Sequence, residues 1–398
     1  MPRQTLDTLP PELVFLISSY LSPVDASCLA LCSHHFMAFS SGFDGPLGSS
    51  FSGVRSGNPD EALRIDLLTR LARHLPQYYL CYACLRLHLW QHVDLPTPNF
   101  KLPSCFDYIE NKRSALPMPA HLSQYPTYSP HRFHFVHLHL AMRRFYFGPS
   151  FGIPAESLTY TEVSMAPLYP RQHPRTHVSD KEFWASTRTG LMSIEARVCP
   201  SPPGLCLRIQ NLAVAKRQNV RQLCQKEDTV RICEHIGSYK SNFSDIVGSL
   251  MDTYCRQDQD DTNRLLRQGK CDRCNTAWKL ELREIEQEDI CLFLTQWKDL
   301  GPGLDPDDDR WRTQSDWLRP RSLKASDMVD DPRMRFEMQS NPSGSGSFHA
   351  LSEEDMFLRN VSLLRARRFR SIMTPWGPGW WYLRGKEKEV HRSQCIVI

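Results

Sequence analysis

The residues with the most chemical potential in this chain are cysteines and histidines at short spacings. Cys271 and Cys274 form a C-x-x-C pair, and Cys233 with His235 forms a C-x-H pair upstream. Together they offer three thiolates and one imidazole, the donor set of a closed tetrahedral zinc site. A second C-x-x-C pair, Cys81 and Cys84, is followed by His88 and, further on, by Cys105. That group could form a separate site, or Cys81 and Cys84 could join Cys271 and Cys274 in a four-cysteine centre; spacing leaves both pairings open. The competing reading for each cysteine is a small buried hydrophobe. Zinc held in either place is expected to be structural, because the H-E-x-x-H signature with its general-base carboxylate does not occur.

Other chemistry is poorly supported. Cys81 and His88 could be imagined as nucleophile and base, but nothing marks the geometry such a pair needs. Gly-rich phosphate loops, a G-x-S-x-G elbow and kinase signatures are all missing from the sequence, so no catalytic residue is expected and the chain does not read as an enzyme. The run His131, His134, His137 and His139 reads as a half-exposed face ahead of a metal site. Arginines from Arg365 to Arg370 read as a solvated helix face ahead of a nuclear-import patch. The terminal Cys395-Ile396-Val397-Ile398 fits C-a-a-X, with Arg384, Lys386, Lys388 and Arg392 as basic companions, although isoleucine is not a usual last residue. Prenylation of Cys395 would attach the chain to a membrane surface without spanning it.

Composition bounds the rest. Lysine and arginine outnumber aspartate and glutamate by 48 to 44, too small an excess to mark a nucleic-acid footprint. The first thirty residues carry an apolar stretch broken by Glu12, Tyr20, Ser22 and Asp25 and no cleavage signal. No run approaches the roughly twenty apolar residues of a membrane span. The expectation is an intracellular chain, cytoplasmic or nuclear, whose fourteen cysteines are reduced and not a disulfide framework.

The elements that must position these donors follow from periodicity. Leu13, Leu16, Ile17, Tyr20 and Leu21 make a helical stripe after Pro10 and Pro11, and Ser22 can cap a second helix carrying Leu29, Cys32, Ser33 and Phe36. A third helix starts at Asn58-Pro59-Asp60-Glu61 and carries Ile65, Leu68, Ala72 and Leu75. From Pro96 to Pro130 the proline content predicts loops. Phe133 to Leu140 alternates like a strand, although the following residues could draw it into a helix. Met192 to Val198 and Leu205 to Ile209 alternate on either side of Pro202-Pro203-Gly204, which predicts a hairpin. Trp278, Leu280 and Leu282 alternate with Lys279, Glu281 and Arg283, so the pair Cys271 and Cys274 feeds a strand as a zinc knuckle does. An acidic run at Asp305 to Asp309 and a flexible Ser/Gly run at 340–347 precede a last helix that opens on Ser352 with Glu353, Glu354 and Asp355.

The N-terminal string LPPELVFLISSYLSPVDASCLALCSHHF closely resembles the F-box, through Leu9, Pro10, Glu12, Leu13, Ile17, Tyr20, Leu21, Val24, Asp25, Leu29, Ala30, Leu31, Cys32 and Phe36. The remainder, with CYACLRLH at 81–88, RICEHI, CDRCNTAW at 271–278 and WKDLGPG, is similar to the body of filamentous-fungal F-box proteins. The resemblance implies a substrate receptor of a Skp–cullin–RING ubiquitin ligase, with Leu9, Pro10, Leu13, Ile17, Leu21 and Leu29 docking on the Skp-type adaptor. An unknown protein target would bind the body. The alternative is a zinc-stabilised binding module acting outside ubiquitination, tethered to a membrane where Cys395 is prenylated. The expected architecture is α+β: a helical F-box domain at 5–45, a mixed, irregular α+β body at 58–320, a linker at 321–350, and a basic helix and tail at 351–398.

Overall fold

The computed structural model describes residues 9–32, 59–82, 84–96, 115–116, 133–167, 187–217, 232–233, 235–236, 243–256, 264–286, 289–315, 322–328, 331–338 and 351–373. The chain is a mixed α+β protein that divides into two compact units, one taking the described residues up to Val93 and the other those from Asp94 onward.

The first unit contains α1 (Pro11–Tyr20), α2 (Pro23–Cys32), α3 (Pro59–His74) and the hairpin β1 (Tyr78–Cys81) and β2 (Arg86–Leu89). Proline stands at the first position of α1, where a missing N–H costs nothing. Ser22 caps α2 by accepting from the Asp25 amide at 3.2 Å. Asp25 in turn pairs with Arg70 of α3, which also holds Asp66 one turn away at 3.1 Å. The stripe of α3 closes a small core as expected: Ala72 is buried with Leu80 and Leu87 of the hairpin, flanked by Ile65, Leu68 and Leu75.

The second unit opens with a two-residue pairing of β3 (Ala115–Leu116) and β4 (Phe133–His134), followed by α4 (Phe135–Phe147). The strand expected over Phe133 to Leu140 is therefore only two residues long. Every residue from Phe135 to Arg143 is buried, so α4 has no polar face to reveal a helical period. The same burial overturns the half-exposed reading of the histidines: His134, His137 and His139 are all buried, while His131 lies outside the described residues. His137 Nδ1 caps α4 by accepting from the His134 amide at 2.9 Å, and His139 Nδ1 meets the Gly303 carbonyl at 2.7 Å.

A six-stranded antiparallel sheet forms the centre of this unit, in the order β5 (Tyr160–Pro167), β6 (Thr187–Pro200), β7 (Pro203–Lys216), β10 (Asp289–Asp299), β9 (Thr276–Glu286), β8 (Arg264–Lys270). The expected hairpin around Pro202 is β6–β7, with strands longer than the alternation marked. One face carries Ala213, Trp278, Leu280, Leu282, Ile290, Leu292 and Leu294 and is covered by Val247 and Leu250 of α5 (Phe243–Arg256). The other face carries Leu191, Leu212, Cys291 and Phe293 and is covered by Phe357, Val361 and Leu364 of a C-terminal helix. That helix follows α6 (Asp309–Ser315) and α7 (Pro332–Glu337) and becomes α8 (Glu353–Met373). Every residue of β10 is buried, because both faces of the sheet are roofed. Within the stretch expected as a linker, Asp331 caps α7 through the Arg333 amide at 2.9 Å and Phe336 is buried on the sheet; the Ser/Gly run lies outside the described residues.

The polar residues that alternate along β6, β7 and β9 do not face water. Arg208, with no exposed surface, donates to Glu195 at 2.7 Å and to both carboxylate oxygens of Glu337 at 2.9 and 3.1 Å. Lys279 reaches Glu353 at 2.7 Å, and Arg283 makes a two-pronged contact with Glu354 at 2.7 and 3.0 Å. The acidic start of α8 thus meets cations of the sheet.

Candidate metal centre

Cys271 and Cys274 sit on the turn between β8 and β9. The Cys271 amide donates to the Thr276 carbonyl at 2.9 Å and the Thr276 amide to the Cys274 carbonyl at 2.8 Å, which curls the turn so that both sulfurs point the same way. Cys233 and His235 arrive on a short segment anchored at both ends. The Ile232 amide donates to the Ile236 carbonyl at 3.0 Å, and Lys298 of β10 donates its ammonium to the Ile232 carbonyl at 2.7 Å. The fold thereby joins the two pairs that the sequence keeps 36 positions apart, from His235 to Cys271. One donor atom from each of Cys233, His235, Cys271 and Cys274 lies within 4.8 Å of the others. A tetrahedral ion with metal–sulfur bonds near ~2.3 Å and metal–nitrogen bonds near ~2.0 Å needs its donors roughly 3.6–3.8 Å apart. The cluster can hold a metal ion.

Electrostatics point the same way. The three thiols are buried and His235 is half-buried. Cys233 and Cys274, hydrogen-bonding to Cys271, hold its thiol far below the ordinary range, and the nearby His235 adds to that pull. Cys274 moves the other way, raised well above the ordinary thiol by Cys233 and Cys271. Burial depresses His235, but the Cys233 and Cys271 thiols overcome it and carry the imidazole up to about 10. Cysteine binds a metal ion as the thiolate, so the lowered Cys271 thiol suits a metal ligand.

Comparison with family models, with curated proteins and with solved structures finds no match to this chain.

Cys81, Cys84 and His88 form a second cluster, also with donor atoms within 4.8 Å of one another. This cluster belongs to the first unit, and Cys233, His235, Cys271 and Cys274 belong to the second. Cys105 and Cys395 lie outside the described residues. Two supporting residues gave no sequence signal. Thr276 receives the Cys274 thiol at 3.3 Å and the Gln314 amide at 2.8 Å, and Lys298, a buried lysine, holds the Cys233 segment.

At the other end of the chain, the helical stripe expected on α1 faces solvent. Leu13, Leu16, Ile17 and Tyr20 are 45%, 53%, 39% and 83% exposed, and Val14 is the buried residue of the helix. Pro10 is exposed, while Leu9, Leu21 and Leu29 are half-buried. In α2 the inward residues are Val24, Ser27 and Ala30, and Leu31 and Cys32 are exposed.

Proposed function

We propose that this chain is an F-box substrate receptor, docking through α1 and α2 on the Skp-type adaptor of a cullin–RING ubiquitin ligase. The observation that carries the proposal is the solvent-facing stripe on α1. A two-turn apolar surface of Leu13, Leu16, Ile17 and Tyr20, with Phe15 beside it at 49% exposure, is costly to leave in water and is what a docking helix needs. Among the residues that resemble the F-box, Pro10, Glu12, Leu13, Ile17, Tyr20, Leu31 and Cys32 are exposed, which supports an interface over a private core.

In this reading the second unit holds a protein target near the ubiquitin-charged enzyme, so that proximity accelerates transfer and no residue of this chain does the chemistry. Its Cys233, His235, Cys271 and Cys274 carry a structural zinc: three thiolates and one imidazole fill a tetrahedron and leave no position for substrate. The receptor works inside the cell, where its cysteines stay reduced.

The direct test is binding of the purified full chain to purified Skp-type adaptor, beside a Leu13→Asp, Ile17→Asp double variant. Both side chains are well exposed, so the variant should fold like the parent. Wild type should bind and the variant should lose at least about a hundredfold in affinity, since each buried carboxylate costs more than one kilocalorie or so. Equal binding by both would reject the docking face.

A further inference from the structure

The second cysteine cluster is not absorbed by the receptor reading. We infer that Cys81, Cys84 and His88 hold a second zinc-class divalent ion, which fastens the face of the β1–β2 hairpin turned away from α3 in the first unit.

The hairpin has two unlike faces. Tyr78 pairs with Leu89 and Leu80 with Leu87, and Leu80 and Leu87 are buried against Ala72 of α3. On the opposite face Tyr79 pairs with His88, and Cys81 stands at the strand end beside them. The Tyr79 and His88 rings lie 5.9 Å apart, which fixes the plane of the imidazole. Beyond Cys81 the chain turns so that the Leu85 amide donates to the Cys81 carbonyl at 2.8 Å, which brings Cys84 back beneath Cys81. Leu85 takes a φ of 51° to do so, a left-handed conformation that a bulky side chain avoids. The Arg64 guanidinium of α3 clamps its carbonyl at 2.9 Å.

The outcome is a convergence of three soft donors, with Cys84 Sγ 3.1 Å from His88 Nε2. A thiol–imidazole hydrogen bond would need only those two groups. It does not explain why Cys81 joins them. A tetrahedral ion does, because a C-x-x-C turn followed by a histidine brings two sulfurs and a nitrogen to one centre. Two sulfurs and a nitrogen select a zinc-class ion over calcium or magnesium, which require oxygen donors. No fourth histidine, cysteine, aspartate or glutamate joins them among the described residues. Cys84 and His88 are half-buried, whereas the thiols of the other cluster are buried, so this centre is the more open of the two.

The test uses the full reduced chain, stripped by chelator and titrated with Co²⁺ alone while the sulfur-to-cobalt absorption is followed, with Zn²⁺ then displacing it. Saturation at two equivalents is expected, falling to one in Cys84→Ser and in His88→Ala, with the remaining ion lost in Cys271→Ser. Saturation at one equivalent that Cys84→Ser leaves intact would overturn the inference without touching the first centre or the adaptor reading. Should the variants fail to fold, alkylation of the wild-type chain decides. Peptide mapping should show Cys84 protected at least tenfold by Zn²⁺, and an unchanged rate would refute the site.

Discussion

Replacing Arg208 by methionine is the sharpest probe of how the second unit is held together. The guanidinium is wholly buried, donates to Glu195 at 2.7 Å, to the Leu351 carbonyl at 2.7 Å and to both oxygens of Glu337, and lies 5.1 Å from the Phe336 ring. Methionine refills most of the volume but leaves two carboxylates facing one another without their shared cation. Removing one partner of a buried ion pair costs about 3–5 kcal/mol. Arg197, 3.6 Å from Glu195, and the Trp297 indole, 2.9 Å from Glu337, soften that loss, so about 3 kcal/mol is expected. That is more than a hundredfold in the folded-to-unfolded ratio and a sizeable part of the ~5–15 kcal/mol that ordinary domains possess. Urea unfolding followed by tryptophan fluorescence suits the measurement, because Trp297 and Trp311 are buried. Arg267, exposed on edge strand β8, gives the control, and Arg267→Met should stay within about 0.5 kcal/mol. A loss at Arg208 no larger than at Arg267 would refute the account of α7 and α8 as elements bound to the sheet by charge.

Further outcomes follow from the metal centre and from α4. Cys274→Ser should remove one equivalent of zinc and lower the melting temperature by about 10 °C or more, since structural zinc contributes ~10–16 kcal/mol in small domains; full zinc content in Cys274→Ser would contradict the ligand set. Burial, assisted by Arg143 and opposed by the Gly303 carbonyl, lowers His139 to about 4 from an ordinary 6.5. The unfolded chain therefore binds this proton at a higher pH than the folded one, so stability is complete above about pH 6.5 and falls as pH drops toward 4. The loss is about 3 kcal/mol across that window, and His139→Gln should flatten it; an unaltered slope in the variant would place the proton uptake elsewhere.

Much of the local structure could be read from the chain. The stripe Ile65, Leu68, Ala72 and Leu75 does face the hairpin, and the alternation around Pro202 does mark β6 and β7. The C-x-x-C turn does feed β9, and Cys233 with His235 does meet Cys271 and Cys274. What failed to show shares one cause, that periodicity reports contrast between faces and not burial. In α4 both contrast and period vanish because its first nine residues are all buried. Along β7 and β9 the contrast was present, yet Arg208 meets α7, and Gln210, Lys279, Glu281 and Arg283 lie beneath α8 and not in solvent. A charged strand face looks the same in sequence whether water or an acidic helix covers it. On α1 the same periodicity marks a stripe that is exposed and not buried. Lys298 and Thr276 support the metal cluster from positions that only the folded sheet brings near it.

The most direct measurement of the receptor reading is capture of the tagged full chain from cells, with the adaptor and the cullin quantified in the eluate. The account predicts that both are recovered in near-stoichiometric amounts with wild type and that both are lost together with Leu13→Asp, Ile17→Asp. Recovery of neither with wild-type chain, or equal recovery with the double variant, would contradict it.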